Sequence, residues 1–135
     1  MLRRAALIFG AVFIVVGLLG FVDAVAPQRT PDGFPLLFGL FAVNPVHNVI
    51  HLISGIAAVI VGLRTEAAST MYFRTFGIIY GLVTLIGLFV GHGLLLGMAH
   101  NPADVVLHAI IAGAALYLGF ARLPTHPGQH TPHHV

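Results

Sequence analysis

Four stretches of this chain are apolar for long enough to cross a bilayer, and almost nothing charged interrupts them. They run over residues 5–25, 44–63, 72–98 and 102–121. Roughly 20 residues span the hydrocarbon core. Only 7% of the residues are charged and 58% are hydrophobic, where a soluble domain carries about 25% charge. Four acids and six arginines cannot cover a surface that faces water. The fold class this implies is all-α, an integral membrane four-helix bundle. The third stretch exceeds what a bilayer needs, so it should tilt or protrude. Arg3 and Arg4 before the first stretch fit the start of a secretory signal. Its apolar core is longer than a signal's, and "FVDAVAP" is a weak cleavage pattern, so a retained span is expected.

The arginines set the expected orientation. Arg3 and Arg4 precede the first span, Arg64 and Arg74 flank the second connection, and Arg122 follows the last span. Only Arg29 lies in the first loop, and the third connection has no cation. Four spans put both termini on one side, with five of the six arginines. That side is expected to be cytoplasmic, in a bacterial inner membrane. The basic balance is accounted for by topology, so no nucleic-acid partner is implied. The lipid bilayer is the expected partner, with a homo-oligomer or larger membrane complex left open. The absence of cysteine excludes disulfides and thiolate chemistry.

One phrase occurs twice. "NPVHNVIH" runs from Asn44 to His51 and "NPADVVLH" from Asn101 to His108. Asn44 aligns with Asn101, Pro45 with Pro102, His47 with Asp104 and His51 with His108. The match continues through Gly55 and Ala112, Ala58 and Ala115, and Gly62 and Gly119. Asn is a preferred N-cap and Pro suits the first helical position, so both phrases announce a helix start. Positions 47, 51, 55, 58 and 62 share one helix face, as do 104, 108, 112, 115 and 119. Both faces carry polar groups at one end and small residues beyond, and small residues let helices approach closely in lipid. The second and fourth spans are therefore expected to face each other along these stripes. A weaker match relates the first and third spans, through Arg4 with Arg74 and Gly17 with Gly87. Together these suggest two repeated hairpins about an axis along the membrane normal. The first loop, with "PDGFPLLFGLFAV", is expected to lie in the interface or to dip back against the bundle.

His51 and His108 sit about 10 Å below their caps at ~1.5 Å per residue. His92, near the outer end of a span reaching Met98, comes to a similar depth, and His47 and Asp104 lie one turn above. Ionisable groups at membrane depth are costly and are functional candidates. His47, His51, His92, Asp104 and His108 thus form the candidate metal set, for zinc, iron or manganese. Asn48 or Ser54 would hold the rings as second acceptors. Two other readings stand beside the metal. The polar groups can simply hydrogen-bond helices together, in a structural or accessory membrane subunit, and Asp104 also suits a helix N-terminus. Alternatively, haem b takes its axial ligands from His51, His92 and His108.

Other features are weaker. "GIIYG" and "GLFVG" in the third span are close-packing motifs, here favoured for packing inside the bundle. His100 is expected to be a solvated turn residue. The tail at 124–135 is read as a disordered, His/Pro-rich cytoplasmic segment, metal-buffering or inert. No nucleotide loop, serine triad or carboxylate pair occurs, so catalysis is expected only where a metal or cofactor supplies it.

"LFGLFAVNPVHNVIHLISG", Leu37 to Gly55, resembles the signature of an uncharacterised bacterial membrane-protein family, domain-of-unknown-function family 4383. The resemblance rests on Phe38, Gly39, Phe41, Asn44, His47, Asn48 and His51, then Asp104 and His108. It implies a four-span protein and supports the choice of residues. It carries no activity.

Overall fold

The computed structural model describes residues 1–121; the tail at 124–135 and Arg122 lie outside the described residues. Helices α1 (Leu2–Leu19), α2 (Pro45–Leu63), α3 (Glu66–Val90) and α4 (Pro102–Phe120) are all long and apolar enough to cross a membrane. The chain is a multi-pass, all-α four-helix membrane protein.

The helix starts follow from their caps. The Asn44 side chain accepts the His47 amide at 2.9 Å, and Asn101 accepts the Asp104 amide at 3.0 Å. Thr65 does the same for Ala68 at 3.0 Å, so α3 begins at Glu66, six residues before the apolar span read from 72. It also ends early. Gly91 takes φ +76°, a backbone conformation that stops the helix. The span does not continue to Met98.

Each hairpin packs chiefly within itself. A Cβ added at Gly10 of α1 would lie 2.6 Å from the Gly55 carbonyl oxygen of α2. At Gly62 it would lie 2.9 Å from the Arg3 carbonyl oxygen, and at Gly119 of α4, 2.8 Å from the Arg74 amide of α3. The small stripes of α2 and α4 are therefore spent on their own hairpin partners, not on each other as their spacing suggested. The two hairpins close alike at their arginine end. Arg3 Nε donates to the Gly62 carbonyl at 3.0 Å, and Arg74 Nε donates to the Gly119 carbonyl at 2.6 Å. At this end the counterpart of Arg74 is Arg3 rather than Arg4.

Between the hairpins stands an aromatic stack. Phe9 and Phe13 of α1 meet Phe76 of α3 edge-on at 4.8 and 5.4 Å, and Phe76 stacks on Tyr80 at 3.9 Å. In lipid, such packing rather than water exclusion joins helices, and an aromatic pair is worth about 0.5–1.5 kcal/mol.

The connections at the other end form small sheets, and the first packs back against the bundle through Leu37, Ala42 and Val43. The first loop folds into an antiparallel sheet of β1 (Gln28–Arg29), β2 (Pro35–Leu37) and β3 (Phe41–Ala42). The third forms a hairpin of β4 (Gly93–Leu95) and β5 (Met98–His100). Its two turn residues, Leu96 at φ 52° and Gly97 at φ 84°, are both left-handed, as a two-residue hairpin turn that matches strand twist requires. The caps then cross. Asn44 Nδ2 donates to the Gly97 carbonyl at 2.9 Å, and Asn101 Nδ2 donates to the Leu40 carbonyl at 2.8 Å. Each N-cap thus both starts its own helix and holds the loop of the other hairpin.

Candidate metal centre

Caps fix where the first turns of α2 and α4 begin, and so where their histidines point. His47 and His51 lie one turn apart on α2, and their ring centroids are 4.6 Å apart. His108 of α4 stands 5.7 Å from His47 and 6.3 Å from His51. One ligand nitrogen from each of the three lies within 4.8 Å of the others. All three side chains are buried, at 2%, 7% and 3% exposure for His47, His51 and His108. Such burial makes the fate of each ring nitrogen decisive.

The three rings differ in that respect. His47 Nδ1 lies 2.9 Å from the Ala99 carbonyl oxygen of β5. A carbonyl only accepts, so Nδ1 carries the proton and Nε2 presents its lone pair. By contrast, His51 Nε2 and both nitrogens of His108 are buried without a hydrogen-bond partner. An unpaired buried polar atom costs about 1–3 kcal/mol. Phe13 packs on His51 at 5.1 Å and Tyr80 edge-on against His108 at 5.5 Å, which restricts both rings. Beside the cluster lies a cavity of about 180 Å³, lined by the three histidines with Ile50, Ile79, Tyr80, Val83, Leu96 and Met98. No acid and no arginine is among these residues.

Asp104 and His92 do not join the three histidines. Asp104 is buried at 1%, but its Oδ2 accepts the Asn101 amide at 3.0 Å and the Ala42 amide of β3 at 3.1 Å. It closes a capping box and ties α4 to the first loop. His92 lies beyond the early end of α3. It is exposed, and its Nδ1 sits 3.0 Å from Asp32 Oδ2, which links the two loops outside the bundle. His100 is buried rather than solvated; its Nε2 donates to the Gly87 carbonyl at 3.4 Å. Burial holds its imidazole below the usual range, against the raising effect of that bond.

The acceptors that the sequence suggested serve elsewhere. Ser54 Oγ lies 3.4 Å from the Tyr80 hydroxyl rather than on a histidine, and a Cβ on Gly20 of the α1 end would run into the Asn48 side chain. His47 is held by a backbone carbonyl, which no residue type announces. Tyr80 and Phe13 were also missed as neighbours of the cluster. Tyr80 could have been found, because it continues the buried face Phe73–Phe76–Tyr80–Thr84–Gly87 of α3.

Three imidazoles from two helices, one already oriented by a carbonyl, are the donor set of a neutral three-nitrogen metal site. At a metal–nitrogen distance of about 2.0–2.1 Å, tetrahedral ligands sit roughly 3.4 Å apart, against the 4.8 Å within which the three nitrogens gather. No curated protein and no solved structure matches the chain. The model of the family described as Domain of unknown function (DUF4383) matches residues 3–121, and the chain belongs to that family.

Proposed function

We propose that this is a metal-ion-binding membrane protein in which His47, His51 and His108 hold one transition-metal ion. The observation that carries the reading is the set of buried, unpartnered nitrogens on His51 and His108, beside a third imidazole, with one ring nitrogen from each of the three within 4.8 Å of the others. A bound ion would give those lone pairs the partner that the protein withholds. Three nitrogens leave a tetrahedral ion one open position. Zinc, iron and manganese suit imidazole donors; a site without thiolate or thioether does not favour copper(I). The ion is preferred over haem because of the donor set. Haem would use only two of the three gathered imidazoles, and His92 is not available as an axial ligand.

In this reading the arginine-bearing ends of the helices face the cytoplasm, and the sheets and metal lie toward the outer leaflet of a bacterial inner membrane. The matched caps and matched arginine bonds support two repeated hairpins. The physiological role that such a metal-holding membrane component would serve is left undefined.

A second reading has its own support. The bonds from His47 to Ala99 and from Asp104 to Ala42 tie the hairpins together, as a purely structural cluster would. It leaves His51 and His108 without a reason for burial. Elemental analysis of gently purified protein separates the readings. About one equivalent of zinc, iron or manganese with no Soret band supports the ion. No metal, and melting unchanged by chelator, supports the structural cluster.

A further inference from the structure

A second cleft adjoins the cavity beside the histidines. Ile50, Ile79 and Tyr80 line both, and this cleft of about 260 Å³ continues past Ile53, Ser54, Ala57, Tyr72 and Thr75. Because α2 packs on α1 and α3 on α4, the seam between α2 and α3 is left loosely filled. Ile53 and Ile79 are exposed on its two edges, so the cleft opens sideways into lipid. From Ile50 to Ala57 it follows α2 for roughly 10 Å at ~1.5 Å per residue.

Charge decides what belongs in this space. Three neutral imidazoles leave a divalent ion with its full double charge. The cavity lining contains no acid, and the one nearby buried carboxylate, Asp104, is committed through Oδ2 to two backbone amides. An uncompensated charge in an apolar enclosure is strongly disfavoured. An anion at the open coordination position would offset one of the two charges; the cavity lining supplies none, so such an anion would enter from outside the chain along apolar walls.

We propose that the anion is the carboxylate of a long-chain fatty acid drawn from the bilayer, with its acyl chain lying in the α2–α3 seam. The carboxylate takes the fourth position on the ion held by His47, His51 and His108. Ile50, Ile53, Ala57 and Ile79 flank the chain. The proposal rests on the metal reading above, and its test keeps the two apart.

The probe is cobalt(II), whose visible absorption reports its ligands, loaded into the full-length protein in a carboxylate-free detergent. Oleate is then titrated, with acetate as a short-chain control. The expected result is a saturable spectral change at about one oleate per cobalt, with acetate needing at least 100-fold higher concentration. Ala57→Phe, which fills the seam away from the histidines, should keep the cobalt spectrum and weaken the oleate response at least tenfold. The retained spectrum shows that this variant still folds. Cobalt bound in stoichiometric amount but blind to oleate overturns the fatty-acid proposal and leaves the metal site standing. Equal responses in Ala57→Phe and the parent place the chain outside the seam and overturn it as well. Absence of any cobalt retention sinks the metal reading and this inference with it.

Discussion

His47 donates through Nδ1 to the backbone carbonyl of Ala99, 2.9 Å away, and this one bond turns a helix residue into a strut between hairpins. At the aligned position of the other repeat phrase, Asp104 accepts the backbone amide of Ala42 at 3.1 Å. Ala42 and Ala99 themselves occupy equivalent places, two residues before their Asn caps. A histidine and an aspartate thus make the same kind of tie with opposite polarity. Only the histidine has a second ring nitrogen left to offer a metal.

Replacing His51 or His108 by alanine should abolish stoichiometric ion retention. Each removes one of three protein ligands, and loss of ion affinity by at least 100-fold is expected; even residues that only orient a ligand are worth 10–100-fold. Stability without metal should fall by the ring packing lost against Phe13 or Tyr80, with no hydrogen bond lost at His51 Nε2 or at either nitrogen of His108. Metal content by elemental analysis, paired with melting in excess chelator, checks both halves. A variant that keeps its metal would remove that histidine from the site.

Asp104→Ala should behave in the opposite way. It leaves the amides of Asn101 and Ala42 without their acceptor, at a cost of roughly 1–3 kcal/mol for each buried donor left unpaired. Ion stoichiometry in the folded fraction should stay at the parent's value. If the ion is lost while the melting temperature holds, Asp104 is a ligand after all.

His92→Ala should change neither property appreciably. Its contact with Asp32 is exposed, and exposed ion pairs contribute about 0–1 kcal/mol. Metal content and melting temperature, both equal to the parent's within error, are the expected readings.

The glycines divide by what faces them. Gly10→Ala drives a methyl to within 2.6 Å of the Gly55 carbonyl oxygen and should cost about 1–3 kcal/mol through overpacking. Gly81→Ala meets nothing within 4 Å and should be neutral or stabilising, by up to about 1 kcal/mol of helix propensity. Denaturation of the two variants side by side in one detergent gives the comparison. A destabilised Gly81→Ala would mean that its face is covered by another chain.

The four helices and the grouping of His47, His51 and His108 were legible in the sequence because their signals are local. Asn-Pro fixed both helix starts, and spacing from the caps placed His47, His51 and His108 together. His92 failed because its depth was counted along a helix assumed to reach Met98, and Gly91 breaks that helix with a left-handed backbone. Asp104 failed differently: its place in the first turn already suited a capping role, and the structure adds the Ala42 amide as a second donor. A stripe of small residues announces a close neighbour but does not name it, which is why the partners of Gly55 and Gly119 were misassigned. The two sheets escaped because their strands are only two or three residues long. Their turns place Phe38 and Leu96 at positive φ, where neither residue type is expected.

The crossed caps carry one more implication. Asn44 reaches Gly97 while Asn101 reaches Leu40, and that i-to-j, j-to-i reciprocity is what an isologous twofold interface displays. A lone hairpin of this kind would satisfy those bonds by pairing with its own twin. Within a single polypeptide the two halves need not be identical, and one keeps an imidazole at the place where the other keeps a carboxylate.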